Sequence, residues 1–137
     1  IASCLVGSEM CIRDRFIKNQ LKENKLFLYG MAADQSAQIR RKTYWKEFLG
    51  IKVPVFTGSE RIAKEHNLPV MFGKMKKIKR GFYNVKVEVI AEKPRSFDDF
   101  HITDIFVSKV EKQIRESPQL YFWTHDRFKH KDKAPID

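Results

Sequence analysis

Apolar and polar positions repeat with different periods along this chain, and each change of period predicts a new element. Residues 16–21 have the spacing of the last turns of an amphipathic helix. Residues 26–30 form a short apolar run bounded by polar residues, which is typical of a buried strand in a parallel sheet. The chain would then leave the carboxyl end of that strand through residues 31–36, where ligands usually bind in open α/β sheets.

The region from 36 to 56 has no sustained period. Residues 36–47 are polar and basic, which favours a loop. Residues 48–56 are apolar, but Gly50 and Pro54 interrupt them, and proline cannot donate to the ladder of a sheet. We therefore expect loop or edge structure here.

Thr57 and Glu60 predict the start of a helix because they have the spacing of a capping box. In that motif the threonine accepts a hydrogen bond from an amide of the first turn, and the glutamate reaches back to the threonine amide. The pattern ends near His66, and Asn67 suits the C-terminal end of such a helix.

Residues 69–77 and 82–90 predict a hairpin joined through the turn 79–81. The second strand alternates cleanly between apolar residues, beginning at Tyr83, and polar residues, beginning at Asn84. Residues 91–101 have the composition of a loop.

A second helix follows this loop, with Thr103 as its expected N-cap. Its apolar positions are Phe106, Val107, Val110 and Ile114. The pair 117–118, Ser-Pro, ends it, and the charged tail from His130 onward is expected to fray. The complete order predicts the α/β class, with a mixed sheet flanked by helices.

The composition suits one domain with a modest core: 137 residues, of which 42% are hydrophobic and 32% charged. The net charge of +10 suggests an anionic partner, which could be nucleic acid, anionic lipid headgroups or an acidic carrier protein. The longest apolar run, residues 26–33, is far shorter than the roughly 20 residues that a membrane-spanning helix needs.

Residues 1–15 require separate treatment. Residues 5–15 back-translate to the end of a transposase-type sequencing adapter, whereas a signal peptide would carry its charges before the apolar part. We therefore interpret residues 1–15 as a non-native artefact, and the expected fold begins at Phe16. Both cysteines, Cys4 and Cys11, fall in that part, so the remainder offers no cysteine metal site or disulfide. Phe16 would then lie within a gene, and the chain would be the C-terminal fragment of a longer protein.

Residues 119–129, Gln-Leu-Tyr-Phe-Trp-Thr-His-Asp-Arg-Phe-Lys, are the most distinctive stretch. Aromatic rings, a histidine and cations alternate there in a way that simple packing seldom produces. No serine or cysteine nucleophile motif accompanies His125, and the four histidines of the chain lack the spacing of metal ligands.

Three blocks in this order resemble the bacterial lipid A biosynthesis (lauroyl/myristoyl-type) acyltransferases of the lysophospholipid acyltransferase superfamily. The first is Gly-Met-Ala-Ala-Asp-Gln-Ser at 30–36, and the second is Phe-Leu-Gly at 48–50 followed by residues 55–64. The third is Trp-Thr-His-Asp-Arg-Phe-Lys at 123–129, similar to the family's Trp-x-His-x-Arg-aromatic-basic ending. Asp126 departs from the second basic residue of many relatives. The turn at 79–83 also resembles that of Bacteroidetes-like members.

The resemblance covers residues 16–131, which would form the C-terminal part of an acyltransferase domain, with 132–137 as a charged tail. It implies transfer of a fatty acyl chain from acyl carrier protein, as a thioester co-substrate, to a hydroxyl of a lipid A precursor, with no cofactor and no metal. The family's His-x-x-x-x-Asp/Glu motif supplies the catalytic base. No histidine of this chain is followed by an acidic residue at that spacing, so we expect the motif upstream and this fragment to be inactive.

The same resemblance suggests which residues line or support the cleft. Asp34 and Gln35 would orient substrate-binding groups, or else cap their loop through side-chain hydrogen bonds to the backbone. Arg40 and Arg41, with Lys42, would face the acceptor phosphates, or else form a solvated loop. Trp123, His125 and Arg127 are expected to be structural.

The expected partners are acyl carrier protein, an anionic glycolipid acceptor and the cytoplasmic face of the inner membrane, with no nucleic acid. The basic hairpin tip, residues 74–80, could dock anionic headgroups or the carrier protein, or simply be solvated. Two alternatives remain: an acyltransferase acting on a glycerolipid or ornithine lipid, and a non-enzymatic basic module that binds nucleic acid. The absence of a known nucleic-acid-binding motif weighs against the second.

Overall fold

The structure is a computed structural model that describes residues 10–39 and 41–135, with side chains from Arg15 onward. It consists of two compact units, residues 1–32 and 33–137. The first contains helix α1 (Met10–Lys22) and an irregular segment. The second contains the hairpins, the other helices and the principal hydrophobic core.

In the first unit, the predicted end of an amphipathic helix is confirmed, since α1 ends at Lys22. The strand predicted over residues 26–30 is wrong: no ladder forms there, and Leu26 and Leu28 are 104% and 82% exposed. Phe27 instead packs edge-to-face on Phe16, with 6.3 Å between ring centroids. A short run of consecutive apolar residues has no periodicity of its own, so it cannot distinguish a buried strand from such local packing.

The first hairpin consists of β1 (Trp45–Phe48) and β2 (Ile51–Pro54), paired antiparallel with Phe48 opposite Ile51. The loop predicted over 36–47 is therefore wrong where β1 lies, whereas the loop or edge structure predicted over 48–56 is confirmed, since β2 is an edge strand of a two-stranded sheet. Leu49 and Gly50 have φ of 52° and 81°, so both central residues of the turn are left-handed. Such turns match the twist of the flanking strands, although leucine gives no sequence signal for one.

Helix α2 (Gly58–His66) ends as predicted, with Asn67 in the left-handed conformation and its amide bonded to the Ala63 carbonyl. The capping box is wrong, however, because Thr57 makes no side-chain capping bond. Glu60 is instead buried and accepts hydrogen bonds from Thr103. The glutamate therefore joins two helices, since a buried carboxylate needs donors wherever the fold supplies them.

The predicted second hairpin is confirmed as β3 (Val70–Lys79) and β4 (Phe82–Ala91). Helix α3 (His101–Glu116) follows it and ends before Ser117 and Pro118, as predicted. Thr103 is not its N-cap: the helix begins two residues earlier, and Thr103 is buried inside it. Short 3-10 turns occupy Pro94–Ser96, Pro118–Leu120 and Lys131–Lys133, so the tail is not wholly frayed.

The core forms where the apolar stripe of α3 meets both hairpins. Its buried members are Phe48, Val53, Val55, Phe72, Val107, Val110 and Ile114. Three α-helices and two small antiparallel sheets among the described residues confirm the α/β class. The predicted mixed sheet is wrong, because the described strands form two separate antiparallel hairpins and the strand predicted over 26–30 does not form.

Candidate functional site

Two distant segments of the second unit, residues 33–36 and 121–128, meet through a small set of polar contacts that we call the clamp. The Ser36 amide donates to His125 Nε2 at 2.8 Å, and the Ser36 hydroxyl lies 3.4 Å from the Arg127 carbonyl oxygen. Arg127 Nη1 donates to the Gln35 carbonyl. The clamp therefore ties the loop 33–36 to the C-terminal segment across about 90 residues of sequence.

Local turns place His125 and Arg127 for these contacts. After the 3-10 turn at Pro118–Leu120, Trp123 Nε1 donates to the Pro118 carbonyl at 2.7 Å. The His125 amide then bonds the Phe122 carbonyl at 3.1 Å, and the Arg127 amide bonds the His125 carbonyl at 2.8 Å. These short-range bonds satisfy the backbone without a strand, so the segment is a series of turns.

Arg127 is the buried centre of the clamp, with 3% of its surface exposed. Its guanidinium lies 5.2 Å from the ring centroid of Phe48, a cation–π distance, and Phe48 is itself buried. Burial lowers the pKa of Arg127, while electrostatic interactions with Tyr121 and Asp34 oppose that shift. An arginine keeps its charge even so, because its pKa starts far above neutrality.

Tyr121 and Asp34 complete the electrostatics of the clamp. Burial raises the pKa of Tyr121, the Arg127 charge lowers it, and the Asp34 carboxylate raises it further. The phenol therefore stays protonated at neutral pH. The Asp34 carboxylate therefore interacts electrostatically with Arg127, and Asp34 itself is half-buried.

The residues proposed from the sequence fall into different environments. Gln35 is exposed, and it contributes to the clamp only through its main-chain carbonyl, which accepts from Arg127. Arg41 is exposed in the turn before β1, and Arg40 lies outside the described residues. Trp123 is 53% exposed and packs edge-to-face on Tyr121, with ring centroids 5.0 Å apart. His125 and Arg127 are brought together on the backbone of Gln35 and Ser36, the two residues that follow Asp34.

The sequence interpretation missed Ser36 and Phe48 as parts of this site. Ser36 contributes mainly a backbone amide, a group that every residue except proline has, so its identity gives no signal. Phe48 provides the face beneath Arg127, and a phenylalanine in an apolar run predicts only packing.

This arrangement is suited to bracing. His125 Nε2 accepts a hydrogen bond from the Ser36 amide, so a neutral ring carries its proton on Nδ1. Nε2, the nitrogen that could take a proton from a hydroxyl, is therefore already occupied. Within residues 10–39 and 41–135, no group of three or more histidine, cysteine, aspartate or glutamate side chains could hold a metal ion. No helix in this part of the chain is long and apolar enough to span a bilayer.

Comparison with known proteins adds a family to this geometry. A model of the family described as bacterial lipid A biosynthesis acyltransferase matches residues 10–130. No curated protein and no solved structure matches the chain significantly. The matched range contains both segments of the clamp.

Proposed function

Because the chain belongs to the bacterial lipid A biosynthesis acyltransferase family, we propose that it forms the cleft-bracing part of an O-acyltransferase. The enzyme would move a fatty acyl chain from acyl carrier protein to a hydroxyl of a lipid A precursor in lipopolysaccharide biosynthesis. The single observation that carries this proposal is the clamp. It joins two of the three blocks that resemble the family, at 30–36 and 123–129.

In this proposal Arg127 and His125 are positioning residues. They hold the backbone of Gln35 and Ser36, and thereby fix the direction in which Asp34 points. A carboxylate in a fixed position near a buried guanidinium offers an acceptor to substrate hydroxyls or to phosphate-binding cations. A rigid position is valuable because a displacement of about 1 Å can lower a rate by roughly a hundredfold.

The 137-residue chain itself is proposed to be inactive. Acyl transfer needs a base that removes the proton of the acceptor hydroxyl, and the family takes that base from a His-x-x-x-x-Asp/Glu motif absent here. Arg40 and Arg41 are proposed to meet the acceptor phosphates, since a guanidinium binds phosphate through parallel hydrogen bonds. The enzyme would work at the cytoplasmic face of the inner membrane, without a cofactor.

The test is acyl transfer by the product of the complete gene that encodes this stretch. Its substrates are an acyl carrier protein thioester and, in separate reactions, a phosphorylated glucosamine disaccharide lipid, a glycerolipid and an ornithine lipid. We expect transfer to the disaccharide lipid, and none from the 137-residue chain. Preferential transfer to another acceptor would replace the proposed substrate, and transfer by the short chain would overturn its inactivity.

A matched pair of variants tests the role of the clamp. Arg127→Met and Lys131→Met each remove one positive charge from the C-terminal segment, but only Arg127 is buried and bonded to the loop. We expect Arg127→Met to lower kcat by roughly a hundredfold. Lys131→Met should leave kcat of the same complete enzyme unchanged, because Lys131 is exposed. Equal effects of the two substitutions would mean that charge alone matters and that the clamp does not position Asp34.

A further inference from the structure

The second hairpin carries an apolar face that no described residue covers. Cross-strand partners on this face are Met71 with Val89, Gly73 with Val87, and Met75 with Val85. We call these six residues, together with Tyr83, the hairpin face. The three valines are 55–59% exposed, although valine at such positions usually packs against a core.

The orientation of the hairpin is fixed by its opposite face. There Phe72 is buried and packs edge-to-face on Phe106 of α3, with 5.8 Å between centroids. Glu88 accepts from Lys109 at 2.7 Å. The alternation of a strand then directs the hairpin face away from α3. Its exposure therefore follows from how the unit is packed, because turning the valines inward would expel Phe72.

The far end of the hairpin combines apolar side chains with cations. Ile78 and Phe82 are 62% and 59% exposed beside the turn. Lys79 lies over the Phe82 ring, 4.4 Å from its centroid. Residues 70–91 contain six lysines and arginines against one acidic residue, Glu88, which is already paired. The end of the hairpin is thus positively charged as well as apolar.

From this combination we propose that the second hairpin docks the protein on an anionic bilayer surface. The valines and Phe82 would enter the boundary between headgroups and acyl chains, while Lys76, Lys77 and Arg80 meet lipid phosphates. A second copy of the chain fits less well, because pairing two hairpin faces would place two cationic ends in one contact area. The inference rests on the proposed function only for the membrane location.

The experiment measures binding of the full 137-residue chain to vesicles by co-sedimentation. The vesicles are phosphatidylcholine alone, or phosphatidylcholine with phosphatidylglycerol at about a third of the lipid. We expect binding to the anionic vesicles that weakens as salt rises, because headgroup attraction is screened. Circular dichroism and thermal melting of every variant confirm that it is folded.

Two double variants separate the apolar and ionic contributions. Val85→Asn with Val87→Asn changes only the hairpin face and should weaken partitioning roughly tenfold or more. Lys76→Gln with Lys77→Gln should also weaken it roughly tenfold or more. The matched control, Lys131→Gln with Lys133→Gln, makes the same charge change in exposed residues elsewhere and should have little effect.

The variant Val87→Trp reports insertion when its emission is compared with that of the unchanged chain, which has only Trp45 and Trp123. We expect a blue-shifted emission and quenching by lipids brominated on the acyl chain, when anionic vesicles are added. Full binding by the asparagine variant, or no quenching at position 87, would show adsorption by charge alone and overturn the proposal. A dimer in solution that the asparagine variant abolishes, without vesicle binding, would also overturn it. None of these readouts depends on acyl transfer, so failure of either proposal leaves the other testable.

Discussion

Thr103→Val tests the hydrogen bond between α2 and α3 that Glu60 makes instead of the predicted capping box. The Thr103 hydroxyl donates to Glu60 Oε2 at 2.6 Å, and the two residues are 3% and 4% exposed. Valine has nearly the same volume, so the substitution removes a hydrogen bond to a charged group without opening a cavity. Such bonds contribute about 1.5–3 kcal/mol to stability.

The remaining partners of Glu60 limit the expected loss. The Thr103 amide still donates to Oε2 at 2.9 Å, and Lys64 Nζ remains 3.0 Å from Oε1. Burial alone would lower the pKa of Lys64, but hydrogen bonds to Asp99 and Glu60 outweigh it and raise the pKa. The carboxylate thus keeps its counter-charge, and we expect a loss of about 2 kcal/mol rather than the full cost of an unpaired buried charge.

Urea unfolding followed by tryptophan fluorescence measures this free energy, and a loss of about 2 kcal/mol should also lower the melting temperature by roughly 6–10 °C. The matched control is Thr57→Ala. A capping box would make it cost about 1 kcal/mol, whereas the observed lack of a side-chain capping bond predicts less than about 0.5 kcal/mol. A large loss at Thr57 with almost none at Thr103 would refute the reasoning and restore the capping box.

Three further predictions concern the clamp and the hairpins. Arg127→Met should lower the free energy of unfolding by about 2–4 kcal/mol, measured by urea unfolding, because it removes a buried charge-assisted bond and a cation–π contact. Lys109 holds the pKa of Glu88 below its ordinary value of 4.5. The stabilisation that this ion pair gives the folded state is therefore present above pH 4.5, and it is lost as the pH falls through the lower pKa of the folded state. The melting-temperature difference between the wild type and Glu88→Gln should therefore shrink toward pH 3, and a constant difference would contradict the pairing. Gly50→Ala should cost about 1–2 kcal/mol because of φ +81° alone, since an added Cβ meets no atom within 4 Å. Gly30→Ala also meets open space, but without a positive φ, and should change the melting temperature little.

Local patterns predicted the second hairpin and the end of α2 correctly because their causes are local. The turn at 79–81 carries Gly81, whose φ is +80°, and Asn67 tolerates the left-handed conformation that ends a helix. The apolar stripe of α3 was equally visible, since a period of 3.6 residues needs no knowledge of the partner surface.

Contacts between distant segments could not be predicted in the same way. Glu60 and Thr103 each had a reasonable local role as a helix cap, and the fold used both for one contact across 43 residues. The apolar run at 26–30 lacked the neighbouring strand that would have made it part of a sheet. In each case a side chain or backbone group can satisfy its hydrogen bonds in several ways, and the tertiary structure selects one.

For the candidate site, the sequence by itself determined the family-like blocks, the charge and the identity of Asp34, His125 and Arg127. Only the tertiary structure decided that Arg127 is buried against Phe48 and that His125 Nε2 accepts a hydrogen bond from the Ser36 amide. The physical reason is that a residue's chemistry is set by its side chain, whereas its role depends on which groups surround it and exclude water. Those groups come from segments about 90 residues apart, and only folding brings them together.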